Sequence, residues 1–300
     1  GEALDQVIDQ MPFTCPPSSP VTGDRGGKVV ARFADRTYYR CAATSLIYLH
    51  RFDGARMNYG HDYFFSEYAA QYGRTYLDDF EHIRTLALPR IEVIRRRAPT
   101  GALLDVGCAF GPFLAESTAA GYDAHGLDVS REAVAHVRSS LRLPAVVGDF
   151  STFSLPRLRE ALGHSRFDVV TMWYVIEHFE DLRAVLRTVN ELLPVGGVFA
   201  FATPNVSGIS GRRSLRRFLE ASPIDHYSVW DPKSAKSVLR RFGFSVYAMR
   251  STGHHPERFG PRFARPQSLQ FRAAGFASRA FGLGDTFEVY SQKRGEVIDD

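Results

Sequence analysis

Apolar positions in the middle of the chain follow two alternating patterns. Short apolar runs such as LLDV, AVV, DVVTMW and VFAFAT have the length and composition of buried strands. Between such runs, the segment LRAVLRTVNELL has the apolar period of a helix with one buried face, at Leu182, Val185, Leu186, Val189 and Leu193. This alternation of strands and helices predicts an α/β fold with a mostly parallel sheet.

The pattern continues toward the end of the chain. Asp231 and Pro232 have the residue types of a helix N-cap and first turn, and Gly243 is typical of the position just past a helix end. After this predicted helix, the segments GFSVYAMR and DTFEVYSQK read as two further strands that close the sheet. Between these strands, the stretch 253–284 is basic and rich in Pro, Gly and Phe, so we interpret it as an insertion.

The segment LLDVGCAFGPFL, residues 103–114, has the features of a ligand-binding turn. The strand ends at Asp105 and Val106, and the turn then carries Gly107, Cys108 and Gly111. Glycine adopts positive φ readily and allows a ligand to approach the backbone closely. A helix beginning at about residue 112 points free N–H groups at the same place. We therefore predict that this turn binds a small molecule.

Two further acidic residues follow at regular intervals. Asp128, in AHGLDVS, and Asp149, in AVVGDF, each end an apolar run a little over twenty residues after the previous acid. The carboxyl ends of parallel strands meet in one crevice, so these acids are expected to lie near each other. A dinucleotide site is disfavoured, because it needs the spacing G-x-G-x-x-G. Residues 107–111 read GCAFG instead, with bulky Phe110 where a pyrophosphate would need room.

These features together resemble the class I S-adenosylmethionine-dependent methyltransferases. The segment FDVVTMWYVIEHFED, residues 167–181, is similar to the family's "FD-V-x(4)-V-I/L-E-H" motif, and ELLPVGGVFAFATPN is similar to its "L-x-P-G-G" turn and fifth strand. The resemblance covers about residues 101–206. It implies a Rossmann-like sheet of seven mostly parallel strands, with the last strand antiparallel and helices on both faces.

The resemblance also implies how S-adenosylmethionine is held. The glycine turn takes the methionine part, the acid after the second strand takes the ribose hydroxyls, and the acid after the third reaches the adenine amino group. Tyr63 belongs to a tyrosine stripe that is either a packed helix face or part of a lid touching the methionine carboxylate. The predicted cofactor-binding residues are Asp105, Val106, Gly107, Cys108, Gly111, Asp128, Val129, Asp149, Phe150, Trp173 and Tyr63.

Methyl transfer to a hydroxyl group requires removal of one proton, and histidine is suited to that role. We predict that His178 and His226 face the acceptor, with Glu177 beside them. Three roles stay open for the histidines: base, structural residue, or ligand of a divalent metal such as Mg²⁺. The metal alternative is weakened because some related enzymes use E-x-x-E-H, and Tyr174 stands here at the first Glu position. We expect no metal at this site.

Most of the 37 basic residues are arginine, although the net charge is only +4. Codon bias explains such a preference equally well. Arginine does bind phosphate and carboxylate in a bidentate manner. We therefore predict a small-molecule or sugar-like acceptor that contacts Tyr174, Arg212 and Arg213. A nucleotide-linked or phosphorylated sugar is one such anionic acceptor. An RNA methyltransferase and a non-catalytic cofactor-binding protein are the alternatives, and nucleic acid is disfavoured because the net charge is modest.

The N-terminal region carries a second resemblance. Residues 15–18 read CPPS and residues 41–44 read CAAT, followed by SLIYL and the segment 59–64, similar to the zinc-ribbon modules of some bacterial sugar methyltransferases. Structural zinc needs four Cys or His ligands, and here Ser18 and Thr44 replace two of them, so zinc is disfavoured. Chance placement of the two cysteines is the alternative.

The predicted organisation is a degenerate ribbon-like module at 1–60, a helical lid at 61–100 and a methyltransferase domain at 101–300. Insertions are expected at about 207–228 and 253–284. A length of 300 residues with 44% hydrophobic content is sufficient for one α/β core with additions. The three cysteines form no disulfide framework, and the apolar runs are too short to span a bilayer. We therefore expect a cytoplasmic protein.

Overall fold

The computed structural model describes residues 17–52, 78–266 and 268–298. Its strands in chain order are β1 (Lys28–Arg32), β2 (Arg36–Arg40), β3 (Ile47–Arg51), β4 (Gly101–Val106), β5 (Tyr122–Asp128), β6 (Ala145–Val147), β7 (Val169–Trp173), β8 (Val198–Pro204), β9 (Ser228–Val229), β10 (Phe244–Thr252) and β11 (Thr286–Lys293). Its helices are α1 (Phe80–Arg95), α2 (Pro112–Ala119), α3 (Arg131–Ser139), α4 (Leu155–Leu162), α5 (Leu182–Leu192), α6 (Ile209–Arg213), α7 (Leu215–Ala221), α8 (Pro232–Arg241) and α9 (Leu269–Ala280).

Seven strands form the central sheet in the order β10-β11-β8-β7-β4-β5-β6. Strand β11 pairs antiparallel with both of its neighbours, whereas the pairs among β8, β7, β4, β5 and β6 are parallel. The chain runs from β4 through β5 and β6 on one side and then continues at β7 on the other side of β4, which places a crevice beyond the carboxyl ends of β4 and β7. The predicted Rossmann-like sheet with an antiparallel last strand is confirmed.

Helices cover both faces of this sheet, as their apolar periods require. On one face, α5 buries Leu182, Val185, Leu186 and Val189, all positions that its helical period identified. Helix α8 begins at the predicted cap, where Asp231 accepts hydrogen bonds from the backbone of residues 233 and 234. The apolar residues that the helices bury form two separate clusters, one on each face of the sheet.

A second sheet, in the order β1-β2-β3-β9, lies at the N-terminal end of the described chain. Its first three strands belong to the region of the predicted ribbon-like module, but β9 comes from the segment after α7. Tyr38 and Ile47 pack in one apolar cluster with Leu219 and Val229, so this sheet shares a core with the later segment.

The thiol of Cys41, which is buried between β2 and β3, is surrounded by hydroxyl groups. Burial raises its pKa, but hydrogen bonds from Ser19 and Thr44 outweigh burial, so the net shift lowers the thiol pKa. Hydroxyl groups are not among the usual ligands of structural zinc. The other cysteine of the predicted ribbon, Cys15, lies outside the described residues, so the ribbon stays a prediction.

Candidate active site

The turn between β4 and α2 has the backbone conformation that its glycines predicted. Gly107 and Gly111 have φ values of 73° and 82°, and Ala109 between them also has positive φ, at 48°. Gly107 is pressed against the loop after β7, since an added Cβ would lie 2.3 Å from Cγ2 of Val175. Gly111 is the N-cap of α2, and no side chain caps the first turn of this helix. The turn therefore presents backbone and helix N–H groups to the crevice.

Asp128, at the end of β5, organises the same turn. One carboxylate oxygen accepts a hydrogen bond of 2.8 Å from the backbone N–H of Ala109, and the other accepts one of 2.8 Å from Ser130 N–H. Burial raises the pKa of Asp128, while these backbone hydrogen bonds act to lower it. An ionised carboxylate can accept about four hydrogen bonds in total, so capacity for ligand hydroxyls remains.

Asp105 is buried beside Asp128, and its neighbour across the sheet is Thr171 on β7. The Thr171 hydroxyl donates a hydrogen bond of 2.6 Å to the Asp105 carboxylate. Burial raises the pKa of Asp105 to about 7, although this hydrogen bond and the charge of Arg90 both act to lower it. A cationic ligand group in the crevice would favour the ionised carboxylate.

Beyond β5 and β6 the crevice is open. Val129 is 44% exposed, and Asp149 is also exposed, with Oδ1 accepting hydrogen bonds from the backbone and hydroxyl of Ser151. Phe150 points instead into the apolar cluster, where its ring lies 6.3 Å from that of Phe179. Val129 and Asp149 are therefore accessible to solvent, and their contact with a ligand, like that between Phe150 and adenine, stays a prediction.

Trp173, at the end of β7, packs against an arginine of α1 that forms an ion pair with the last strand. The Arg90 guanidinium lies 4.4 Å from the centre of a Trp173 ring, and its Nε donates a hydrogen bond of 2.9 Å to Glu288 on β11. Tyr174 follows with a φ of +60°, an uncommon conformation for a residue with a side chain, and it is 40% exposed. Trp173 thus ends the strand, and Tyr174 begins the loop on the predicted acceptor side.

The predicted catalytic residues come together after β7. Glu177 and His178 lie on a 3₁₀ turn, and the ring of His226 packs edge-on against that of His178 at 4.7 Å. His178 Nδ1 lies 2.9 Å from Oδ2 of Asp225, a buried residue of the α7–β9 loop. Glu177, His178 and His226 can each present one ligand atom within 4.8 Å of the others.

The electrostatics separate the two histidines. Burial disfavours protonated His178, but the hydrogen bond with Asp225 and the charges of Glu177 and Asp225 outweigh burial, so the pKa of His178 is raised. Burial lowers the pKa of His226 to about 3, and the charge of His178 adds to this effect. Burial raises the pKa of the Glu177 carboxyl to about 7. At neutral pH, His178 is therefore the stronger base of the two.

The remaining predicted residues lie around this centre or outside the described chain. Val106 and Cys108 are buried in and after β4. Arg212 and Arg213 are exposed on α6, and each donates a hydrogen bond to a nearby backbone carbonyl, of Ser207 and Arg258 respectively. Tyr63 lies outside the described residues.

Sequence reasoning missed two residues that support the site. Asp225 directly precedes His226, and this D-H dipeptide is the sequence signal for an acidic partner. Arg90 lies in a helix without any motif, and nothing in its local sequence pointed to Trp173. Both act on residues that are distant in the chain.

Comparison with known proteins identifies the family and the fold of this chain. A family model described as a methyltransferase domain matches residues 79–249, more than half of the chain. This chain belongs to that methyltransferase family. The methyltransferase is 24% identical over 205 residues to a protein of Nitrosococcus oceani named ubiquinone biosynthesis O-methyltransferase, covering 66% of this chain and 86% of the relative. A protein of the same name from Methylococcus capsulatus is 28% identical and covers 51% of this chain and 67% of the relative.

Solved structures agree on the fold. A SAM-dependent methyltransferase from Archaeoglobus fulgidus superposes with a TM-score of 0.54 at 14% identity, covering 76% of this chain and 98% of that one. A magnesium protoporphyrin IX methyltransferase from Synechocystis with bound SAH superposes with a TM-score of 0.50 at 12% identity, covering 77% and 97%. The fold of this chain is therefore the one found in S-adenosylmethionine-dependent methyltransferases of known structure.

The site fits this cofactor on its own geometry. A turn with three positive-φ residues and an uncapped helix end lie beside two buried acids, Asp105 and Asp128. These groups would hold the methionine and ribose parts, while Val129 and Asp149 would lie at the adenine end. In the described part of the chain, no helix is long and apolar enough to span a membrane.

Proposed function

We propose that this methyltransferase methylates a hydroxyl oxygen of a small-molecule acceptor, with His178 as the general base. The observation that carries the proposal is the 2.9 Å contact between His178 Nδ1 and Asp225 Oδ2 in a buried pocket after β7. The names of the relatives from Nitrosococcus and Methylococcus support oxygen as the acceptor atom.

The Asp225 contact determines which ring nitrogen acts as the base. With the Nδ1 proton donated to the Asp225 carboxylate, Nε2 is the basic nitrogen of neutral His178. Asp225 also stabilises the imidazolium that forms when Nε2 takes the hydroxyl proton, and it is a positioning residue. Bound S-adenosylmethionine supplies a methyl group that is already activated on a sulfonium sulfur. The protein's main tasks are therefore to align the acceptor, exclude water and remove one proton.

For the acceptor, we propose a hydroxylated small molecule, sugar-like and anionic, that reaches Tyr174, Arg212 and Arg213. Tyr174 is exposed directly before the Glu177–His178 turn, and the two arginines are exposed on the first helix after β8. Guanidinium groups at such a position suit phosphate or carboxylate. Kinetics of Arg212→Ala/Arg213→Ala with phosphorylated and unphosphorylated acceptors test this part, and an unchanged KM for both would refute it.

The test of the base compares His178→Ala, Asp225→Asn and His226→Gln with wild type. Activity is measured as the release of S-adenosylhomocysteine in the presence of catechols, hydroxylated sugars or nucleotide sugars as acceptors. We expect His178→Ala to lower kcat by about 100-fold or more, the scale of general base catalysis. Cofactor affinity, measured by calorimetry, should change little. Full activity of His178→Ala would overturn the proposal.

The pH profile distinguishes positioning from structure. Since a base acts when deprotonated, kcat/KM should rise with pH through the raised pKa of His178. Asp225→Asn removes the group that raises this pKa, so the midpoint of the rise should move to lower pH as the plateau falls. His226→Gln is the matched control, because a residue with a pKa of about 3 is already neutral at pH 7. An unmoved midpoint in Asp225→Asn would contradict the pairing.

A metal-assisted reaction is the second candidate, favoured by one observation. Oε2 of buried Glu177 has no hydrogen-bond partner among the described residues, and the ligand atoms of His178 and His226 lie nearby. In that case EDTA would abolish activity, Mg²⁺ or Mn²⁺ would restore it, and His226→Gln would be as damaging as His178→Ala. Activity that persists in EDTA supports the base.

A further inference from the structure

A second cluster of metal-ligating side chains lies away from the active site. Asp123 and His125 are on β5, and His164 follows α4 in the loop that leads to β7. Asp128 marks the carboxyl end of the same strand, so Asp123 lies about 16 Å from the cofactor crevice along the strand axis. The cluster therefore lies at the edge of the sheet opposite the active site.

The three side chains converge for two reasons: the side chains of β5 alternate between its faces, and helix α4 covers one of those faces. Asp123, His125 and Leu127 alternate onto one face of β5. On that face Leu127 is buried in the cluster that contains Leu158 and Leu162 of α4. The end of α4 thus brings His164 over the first residues of β5, where its ring lies 4.3 Å from that of His125.

The distances suit a small tetrahedral ion. His125 Nε2 lies 3.1 Å from Oδ1 of Asp123, and His164 Nε2 lies 3.3 Å from Oδ2. One atom from each of the three residues falls within 4.8 Å of the others. Two ligands bound at about 2.05 Å to a tetrahedral zinc ion are about 3.3 Å apart. Small side-chain movements would bring all three ligand atoms to one ion.

The surroundings hold the imidazoles and leave the carboxylate accessible. The ring of buried Phe167 lies 6.0 Å from His125 and 5.2 Å from His164. Exposure of the side chains rises from 12% for His125 to 28% for His164 and 62% for Asp123. An ion could thus enter from solvent and keep water as its remaining ligand.

We propose that Asp123, His125 and His164 bind a divalent transition-metal ion of the zinc class at this edge of the sheet. Two imidazoles and one carboxylate are ligands that zinc accepts readily, and imidazole disfavours Mg²⁺ and Ca²⁺. The bound ion links the start of β5 to the loop before β7, so it stabilises the fold. The site is independent of the cysteines of the N-terminal region and of the proposed base.

The test uses the untagged full chain, stripped with chelator and then titrated with Zn²⁺ by calorimetry and with Co²⁺ by visible absorption. We expect one equivalent to bind in His226→Gln, which removes a ligand from the active-site cluster but leaves this one intact. His164→Gln and Asp123→Asn should weaken zinc binding by at least about 100-fold, the upper end of the loss seen for outer-sphere partners alone. His82→Gln, which removes an exposed histidine of α1, is the matched control.

Thermal unfolding gives a second measurement. Zinc at about a hundredfold excess over its Kd should raise Tm by about 5 °C in wild type and in His82→Gln, but not in His164→Gln. Cofactor binding and methyl transfer should be unchanged in His164→Gln. The proposal is overturned if His164→Gln and Asp123→Asn bind zinc as tightly as wild type, or if His226→Gln alone removes the binding, because the cluster is then only hydrogen-bonded.

Discussion

Glu177 shows how one buried carboxyl next to the proposed base affects stability. Burial raises its pKa from 4.5 to about 7, and Oε2 has no hydrogen-bond partner among the described residues. The folded state therefore favours the protonated carboxyl. The resulting loss of stability is absent below the unfolded pKa of 4.5, grows as the pH rises toward 7, and is complete above it.

We expect Glu177→Gln to stabilise the protein at pH 8 by up to about 3 kcal/mol, because the amide carries no charge to bury. The gain should shrink strongly at pH 5. Urea unfolding of both proteins at the two pH values measures the difference. A less stable Glu177→Gln protein at pH 8 would show that the carboxylate is paired in the folded state.

At the scale of elements, the turn from β4 to α2 depends on the loop after β7. Gly107→Ala should weaken cofactor binding and destabilise the fold for two reasons. A left-handed residue with a Cβ costs about 1–2 kcal/mol, and the new methyl would clash with Val175 at 2.3 Å. Calorimetric titration with S-adenosylhomocysteine and urea unfolding report both effects.

The double variant Gly107→Ala/Val175→Ala separates these reasons. It removes the clash but keeps the backbone strain, so it should recover part of the binding lost in Gly107→Ala, after correction for Val175→Ala alone. If Gly107→Ala binds as wild type does, the turn does not depend on this glycine.

At the scale of the whole molecule, the Arg90–Glu288 ion pair joins α1, the last strand and Trp173. Glu288→Gln leaves the buried Arg90 charge without its nearest carboxylate, and we expect a loss of about 3–5 kcal/mol. Arg90→Met/Glu288→Gln should be less damaging than the sum of the single changes, which a double-mutant cycle in urea measures. Strict additivity would show that the pair contributes nothing.

Local sequence was sufficient for individual strands and helices and for the glycine turn, because these depend on neighbouring residues. The arrangement of the strands in the sheet was expected only from the family resemblance. Apolar period and cap residues predicted α5 and α8, and positive φ at Gly107 and Gly111 follows from their positions in the turn. The N-terminal region was harder. Its sheet is completed by β9, which is distant in the chain, so the pairing could not be predicted from local pattern.

The sequence by itself determined the family resemblance, and through it the class of enzyme and the methyl donor, since the motifs that carry the resemblance are local features at strand ends. Only the tertiary structure decided which histidine is the stronger base. His178 gains Asp225 from a loop far along the chain, while buried His226 makes no ion pair with a carboxylate among the described residues. Burial and charges from distant parts of the chain set the pKa of a side chain, and the residues next to it in the sequence reveal neither. The same reason applies to Asp123, His125 and His164, which the packing of α4 on β5 brings together.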